Sequence, residues 1–588
     1  MANYQVPLRE LNFALNDVLQ VSSLGSLSAF QDLTPDTVTT VLAEAARLIE
    51  EEIAPINATG DKQGCQFRDG EVATPAGYPS AYARFVEGGW PGLSHGVDHG
   101  GQGLPFVLSQ AVMEMLSGAC AAFALYPMLT DSACDVLQNH GSSELQAVYL
   151  DRLVSGAWTG TMCLTEPEAG SDLARIRTRA VADGGRYRLH GRKIFITGGE
   201  HDLAENIIHL VLARLPDSPP GVGGISLFLV PKFLSGADRR LGDRNAVYCE
   251  GLEEKMGIHG ASTCVMGFDG AEGWLVGEPN QGLKLMFTMM NRARLAVGQQ
   301  GLGLAEAATQ NAVAYALERH QGRRHKGDRT QETVPIIDHP DVRRMLMTMK
   351  AFTEGIRLMS YDVAMQADIA AAGESEAERE SAADFVDLMT PVCKAFFTDA
   401  AMDVTSLGIQ VYGGHGYIRD HGMEQYLRDA KITCLYEGTN GIQALDLVGR
   451  KLRIKQGRLP SRLFARIESW LAGSHPPESA LIVEALKIHL PPLQRATAEL
   501  QRRTEADPDW GAAVASDYLR WLAFVGLAWY WGRAVESGPA ADSVYHQGKC
   551  LTAEFFVRHL LPLADGWRAS VSQGKAVLAK VERAMFSP

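Results

Sequence analysis

Glu437 stands in CLYEGTNGIQ (residues 434–443), a carboxylate followed directly by a glycine that leaves room for close approach of another molecule. Such a group can serve as a general base, although a lone Glu before Gly is more often a turn or capping residue. His95 and His99 in HGVDH are four apart, the spacing of a metal pair on a helix, but the surrounding glycines make this segment a loop. The glycines of GLGLAE, starting at Gly301, lie inside a helical pattern with no strand before them. They read as a packing feature and a poor phosphate cradle. Nine cysteines (65, 120, 134, 163, 249, 264, 393, 434 and 550) contain no CxxC pair and no regular spacing, so they read as reduced thiols.

These residues need a scaffold of several cores, because 588 residues exceed what one core supports and imply three or four domains. Hydrophobic residues make up 46% and charged residues 21%, the composition of a chain that folds throughout. The net charge of −14 and a pI near 5.6 argue against a nucleic-acid surface spread over the whole molecule. Apolar residues recur at helical spacing from Thr34 to Glu51 and from Leu108 to Val154, on either side of the loop GGWPGLSHGVDHGGQGLP. From about Thr161 to Gly277 the pattern becomes short β-rich runs such as YRLHGRKIFITGG, NIIHLVLARL and GISLFLVPKFL. Helical spacing returns beyond Gly282 and again from His339 to Gln366, with a charged loop from Gly322 to Val334. After Arg453 a further helical region begins at KQGRLPSR and is broken at SHPPES. The expected domains are therefore 1–160 (helical), 161–280 (β), 281–452 (helical bundle) and 453–588 (appended helices). WLAFVGLAWYWG, between Arg520 and Arg533, is too short to span a bilayer and reads as buried core. No uninterrupted apolar stretch reaches membrane-spanning length, and MANYQVPLRELNFALNDVLQ lacks the features of a signal or transit peptide. The expectation is a soluble, cytoplasmic protein of a reducing compartment.

Two segments carry a family resemblance. MCLTEPEAGSDLARIRTRA followed by GRKIFITGG resembles the central signature of the acyl-CoA dehydrogenases, and CLYEGTNGIQ resembles their catalytic-base signature. Between them EKMGIHGAS, the helix NRARLAVGQQGLGLAEAATQNAVAYALERH, and QVYGGHGYIRDHGMEQYLRDAKI match the family in order, so that the resemblance spans roughly residues 35 to 450. With its C-terminal extension, the whole chain is similar to a bacterial subgroup that includes long-chain acyl-CoA and 3-methylmercaptopropionyl-CoA dehydrogenases. The implied fold is α+β and multidomain: an N-terminal helical domain, a middle β-barrel or sandwich, a four-helix bundle and an extra C-terminal helical domain. The implied cofactor is FAD, held between the β domain and the bundle. The implied reaction is α,β-dehydrogenation of a medium- or long-chain fatty acyl-CoA to the trans-2-enoyl-CoA, the first step of β-oxidation.

By this resemblance Glu437 is the base, and burial beside the acyl chain should raise its pKa toward neutrality. A branch of the family carries its base one residue before the substrate-binding Arg of the bundle helix; here that position is Ala293, which cannot take a proton. The enolate is stabilised by the backbone N–H of Glu437 and a flavin ribityl hydroxyl. Met162, Leu164 and Thr165 line the flavin's pyrimidine edge, Thr197 bonds near its reactive nitrogen, and Phe195 covers one face. Arg319 reaches the flavin of a neighbouring subunit, joined there by Gln410, Gly413 and Gly414, while Thr439 and Asn440 complete the ADP pocket. The family's Thr-Phe-Gly after that Arg is replaced by HQGR, leaving His320, Arg323 and Arg324 as substitutes or as a solvated basic loop. For coenzyme A, Ser171 bonds the pantetheine or its phosphate, and Arg294 braces substrate and base. Asn291 stands where relatives have Asp, and Gly438 admits the thioester. No metal is implied.

The implied partners are the acyl-CoA, an electron-transfer flavoprotein and a second copy of the chain, with a homodimer as first choice. No nucleic acid and no membrane span are expected. Two other readings share the fold: an acyl-CoA oxidase, reoxidised by oxygen, and a DNA-associated protein of the alkylation-response type. Residues 451–588 hold more Lys and Arg than Asp and Glu, but the excess is slight and spread among acids such as Glu505, Asp507 and Asp509, which favours a solvated helical surface.

Overall fold

The computed structural model describes residues 4–236, 239–323, 332–537 and 543–586. The chain forms two compact units: one contains residues 4–6 and 43–296, the other residues 7–42 and 297–588.

The first unit is built on a sheet of seven strands: β1 (Trp158–Cys163), β2 (Arg179–Asp183), β3 (Arg186–Thr197), β4 (Asn206–Arg214), β5 (Ile225–Pro231), β6 (Val247–Leu252) and β7 (Thr263–Val276). Strands β3, β2, β4, β5 and β7 pair in a circuit that returns to β3, so the sheet closes on itself as a barrel. Closure explains the runs NIIHLVLA and ISLFLVP, which are buried along their whole length and show no alternation. Leu189, Val211, Phe228, Val230 and Phe268 fill the core. β1 adds in parallel to β4 and starts at Trp158, so it crosses the boundary expected at residue 160.

Over β1 lies α1 (Phe106–His140), interrupted at Cys120, where φ is −158° and ψ is 92°. By length and composition α1 could cross a membrane, although Gln110, Glu114 and Asp131 interrupt its apolar run. Its most apolar window is wholly buried within the protein, as in a central core helix. The helical reading of residues 1–160 also missed a hairpin, Gln66–Arg68 with Glu71–Ala73. Its turn is Asp69-Gly70, both at positive φ (54° and 86°), the geometry that an Asp-Gly pair favours.

The second unit is helical. Its bundle is formed by α2 (Gly282–Glu318, from residue 297 onward), α3 (Pro340–Ala372), α4 (Glu376–Tyr412) and α5 (Met423–Thr433). Gly298 and Gly301 let α2 lie close against α4: a Cβ at Gly301 would sit 3.2 Å from the Phe397 carbonyl oxygen. Gly301 of GLGLAE is thus a packing residue, as its helical pattern indicates.

After α6 (Asn440–Asp446) come five more helices, α7 (Leu459–Leu471), α8 (Ala480–Ala506), α9 (Pro508–Glu536), α10 (Ser543–Phe555) and α11 (Leu563–Gln573). The Trp-rich stretch lies in α9 and is buried, with Trp521, Trp529 and Trp531 each at most 3% exposed. α9 packs on α3, where Gly355 makes room for the Trp531 indole. One carboxylate of α3, Asp362, is bonded by Arg466 of α7 (2.8 Å) and by the Tyr530 hydroxyl of α9 (2.6 Å), with Arg533 at 3.7 Å. Burial pushes Asp362 up, but the two guanidinium groups outweigh it and hold the carboxyl below its usual range. Lys549 of α10 bonds Glu354 (2.8 Å) and also Glu10, near the start of the chain, while Arg533 donates to the Val18 carbonyl (3.3 Å).

Candidate active site

In the sheet unit the residues after β1 are tied to β3. The Ile194 amide donates to the Thr165 carbonyl (2.9 Å) and the Lys193 ammonium to the Leu164 carbonyl (2.9 Å). Lys193 is fully buried and also bonds Glu166 (2.8 Å), whose carboxylate accepts the Arg177 amide and the Thr178 amide and hydroxyl. Burial raises Glu166, but Lys193 and these donors bring it below its usual value. This buried pair sets the path of EPEAGSD and carries Ser171, which is exposed. Neither Glu166 nor Lys193 received a role from the sequence, although both lie inside the signature segments.

Leu164 and Thr165 are thereby held against β3 next to Phe195, and Met162 precedes them in β1. Cys264 of β7 pairs with Ile196, and Met266 pairs with Lys193, so Ile194 and Phe195 together face one residue, Val265. The extra residue makes a β-bulge. Phe195 occupies it at φ +59°, a region costly for a non-glycine residue, and its ring is 58% exposed. The half-buried hydroxyls of Thr165 and Thr197 have no hydrogen-bond partner among the described residues.

On α2, Arg294 is buried, 3.4 Å from the Asn291 side-chain oxygen and stacked over Phe287. Its neighbour Arg292, which received no role from the sequence, bonds Asp131 (2.6 Å), Asp135 (2.9 Å) and Ser94 (3.0 Å). His95 is the fifth member, 3.0 Å from Asp131, while His99 bonds Asp151 at 2.9 Å. The two imidazoles of HGVDH thus serve different carboxylates and anchor their loop to α1 and to the short helix Asp151–Val154 that precedes β1.

In the helical unit Glu437 is half-buried and adopts φ +57°, followed by Gly438 at φ +83°. Two successive left-handed residues need external support. Gln443 supplies it, donating to the Glu437 carbonyl (3.0 Å) and the Gly438 carbonyl (3.2 Å). The Thr439 hydroxyl caps α6 by accepting the Ile442 amide. The Asn440 amide is occupied inside the chain, bonding Lys394 (2.9 Å), Ala395 (3.1 Å), Thr398 (2.9 Å) and Asp399 (2.7 Å). It fastens the Glu437 loop to α4. On the other side, the buried Tyr436 hydroxyl donates to Gln300 of α2. Burial first, then the nearby Glu437 charge, pushes that hydroxyl well above its usual range, so it remains a donor.

At the ends of α2 and α4, Tyr315 stacks on Tyr412 (4.1 Å) and bonds His415 (2.8 Å). This brings Arg319 and Gln410 to one exposed face with Gly413 and Gly414, where a Cβ at either glycine would meet nothing within 4 Å. Tyr417, 83% exposed, stands nearby in the chain. His320 and Arg323 are exposed, and Arg324 lies outside the described residues.

A helical segment, a closed sheet and a helical bundle in that order, with a strained carboxylate loop in one unit and an exposed aromatic on a bulge in the other, fit a flavin-dependent oxidoreductase acting on CH–CH bonds. Comparison with known proteins specifies it: the sequence matches the acyl-CoA dehydrogenase N-terminal domain over residues 35–157, the middle domain over 161–271, the C-terminal domain over 280–452, and an acetyl-CoA dehydrogenase C-terminal-like domain over 463–582. The chain belongs to the acyl-CoA dehydrogenase family and is an FAD-dependent acyl-CoA dehydrogenase. It is 42% identical to 3-methylmercaptopropionyl-CoA dehydrogenase of Ruegeria pomeroyi, covering 95% of this chain and 96% of that one. It is 33% identical to the broad-specificity linear acyl-CoA dehydrogenase FadE5 of Mycobacterium tuberculosis over the full length of both. Its fold is similar to that of an acyl-CoA dehydrogenase complexed with FAD from Bacillus anthracis (TM-score 0.74, 21% identity, 96% and 91% coverage).

Proposed function

We propose that Glu437 abstracts the α-proton of an unbranched acyl-CoA and that the product is the trans-2-enoyl-CoA. The observation that carries this is the carboxylate's left-handed backbone, clamped by Gln443 and fronted by Gly438, which fits a base presented to a thioester. FAD, when bound, accepts the hydride that leaves the β-carbon. The chain's own part is to place the α-hydrogen against Glu437, to offer the Glu437 amide to the developing enolate oxygen, and to brace substrate through Arg294 and Asn291. Met162, Leu164, Thr165, Phe195 and Thr197 would hold the flavin ring. Arg319, Gln410, Gly413 and Gly414 would meet the FAD of a second subunit; Thr439 and Asn440 would shape the loop beside it.

The proposed substrates are medium- or long-chain acyl-CoAs within a linear-chain specificity, since one relative is named for broad linear specificity and another for a short thioether-bearing acyl group. An electron-transfer flavoprotein is the proposed acceptor, and the naming of both relatives as dehydrogenases supports this over oxygen. The extension's cations are drawn into ion pairs with the bundle, Arg520 with Asp399 and Lys455 with Asp384, which disfavours a DNA-binding face. Exposed Leu317, Tyr417 and Ile418 around Arg319 and the glycines support a homodimer. Anaerobic titration of the holoenzyme with straight-chain acyl-CoAs of increasing length, with branched and 3-methylmercaptopropionyl esters alongside, should bleach the flavin with the straight chains. No bleaching by any ester, or rapid peroxide release in air, would reject the reading.

Phe195→Gly separates fold from cofactor. Relief of the left-handed phenylalanine should stabilise the flavin-free protein by about 1 kcal/mol, raising its melting temperature. Loss of the ring should weaken FAD retention roughly two- to tenfold, read by flavin fluorescence on dilution. A melting temperature that falls would contradict the strain assignment.

A further inference from the structure

Lys193 and Ile196 of β3 both face the core, three apart rather than two, because the bulge at Ile194 and Phe195 shifts the alternation of the strand. The same extra residue thus turns Phe195 outward and leaves the Lys193 side chain with no exposure to solvent. Desolvating a buried ion pair offsets most of its mutual attraction, so Lys193 and Glu166 are a poor device for stability alone. Nor does Glu166 need the lysine to be satisfied. Its two oxygens already accept from the Arg177 amide (2.7 Å), the Thr178 amide (3.0 Å) and the Thr178 hydroxyl (2.6 Å). Burial pulls Lys193 down, and the Glu166 carboxylate is the chief influence opposing it.

What the ammonium adds is its bond to the Leu164 carbonyl (2.9 Å). The Leu164–Thr165 peptide is trans, so its N–H points away from its carbonyl. A cation on the oxygen draws electrons through the peptide and makes the Thr165 N–H a stronger donor on the far side. That amide has no acceptor among the described residues, and the Thr165 hydroxyl has no partner among them either. The next peptide is fixed as well, since the Thr165 carbonyl accepts from the Ile194 amide (2.9 Å). A free, polarised N–H beside a free hydroxyl, backed by a positive charge in a medium of low dielectric, suits a group that gains electron density during a reaction.

We propose that Lys193 is a positioning residue for the flavin: acting through the Leu164–Thr165 peptide, it holds the Thr165 amide toward the pyrimidine edge and favours the reduced, more negative form of the ring. The assignment rests on the reading that places Leu164 and Thr165 at that edge.

The test is the midpoint potential of bound FAD, measured on the holoenzyme without substrate by reduction against a reference dye. The variant Lys193→Met/Glu166→Gln removes both charges and leaves no unpaired carboxylate in the core. Its reduced flavin should be disfavoured about tenfold relative to wild type, a potential about 30 mV lower. Glu166→Gln keeps the ammonium and removes the charge that offsets it, so its potential should rise. A potential unchanged in the double variant, or lowered alike in both, would overturn the proposal, because a purely structural pair is damaged by either change. If the double variant does not fold, Glu166→Gln decides alone, and a potential that fails to rise overturns the assignment. Thr165→Val tests the flavin-site reading separately and should weaken FAD retention on dilution about fivefold. Retention at the wild-type value would place the flavin elsewhere and sink that reading. Weakened retention in Thr165→Val, with the potential unmoved by the Lys193 and Glu166 changes, would keep the site and remove Lys193 from it.

Discussion

Glu437→Gln should lower the rate of flavin reduction by acyl-CoA about 10²–10⁴-fold, the usual worth of a positioned general base. The amide keeps the size of the side chain and leaves the Gln443 bonds to the Glu437 and Gly438 carbonyls in place, because the acceptors are backbone oxygens. FAD content and melting temperature should therefore stay at wild-type values. What disappears is the proton acceptor. Ala293, the position used by one branch of the family, offers no replacement. Single-turnover reduction under anaerobic conditions isolates this step, and a variant that bleaches its flavin at the wild-type rate would place the base elsewhere.

Asp362→Ala should produce the largest loss of stability among single substitutions of the bundle. The carboxylate is 2% exposed and meets Arg466, Tyr530 and Arg533 at once. Deleting it leaves buried guanidinium charge without a counter-ion, at a cost of about 3–5 kcal/mol. Arg466 is held in place by stacking over Phe385 (4.4 Å) and Trp529 (5.1 Å), which limits its escape to water. The melting temperature should fall by on the order of 10 °C. Asp362→Asn, which keeps an acceptor for Tyr530, should lie between the two. Because the residue joins α3 to α7 and α9 and has no part in the proposed chemistry, turnover at low temperature should persist. Wild-type melting of Asp362→Ala would mean that the extension is held by its apolar contacts alone.

Much of this organisation is legible in one sequence. The switch from helical to β-rich spacing near residue 160 and back near residue 280 follows burial, which constrains residue type directly. YEGTNGIQ and TEPEAGSD could be read because their chemistry is compressed into a few consecutive residues. Asp362 could not, since its partners lie 104 and 168 residues away and only tertiary packing brings them together. The bulge at Phe195 was equally hidden. IFITGG shows an aromatic in a strand, but the count that puts two residues opposite one depends on the register of β7, some 70 residues later. Gln443 lies within its motif with no sign of its role, because a side chain reaching back across a helix start to two carbonyls leaves no periodic trace. The Asp69-Gly70 turn was readable and was passed over, a short strand pair lost in a helical stretch.

The bond between Lys549 and Glu10 joins positions 539 residues apart. Protein synthesis runs from one to the other at about 5–20 residues per second, so the N-terminal segment waits roughly half a minute to two minutes for its partner to emerge. During that interval Phe13, which ends up buried with its ring against Tyr545, has no α10 to pack with. The nascent chain thus carries an unfinished apolar edge until α10 has been made.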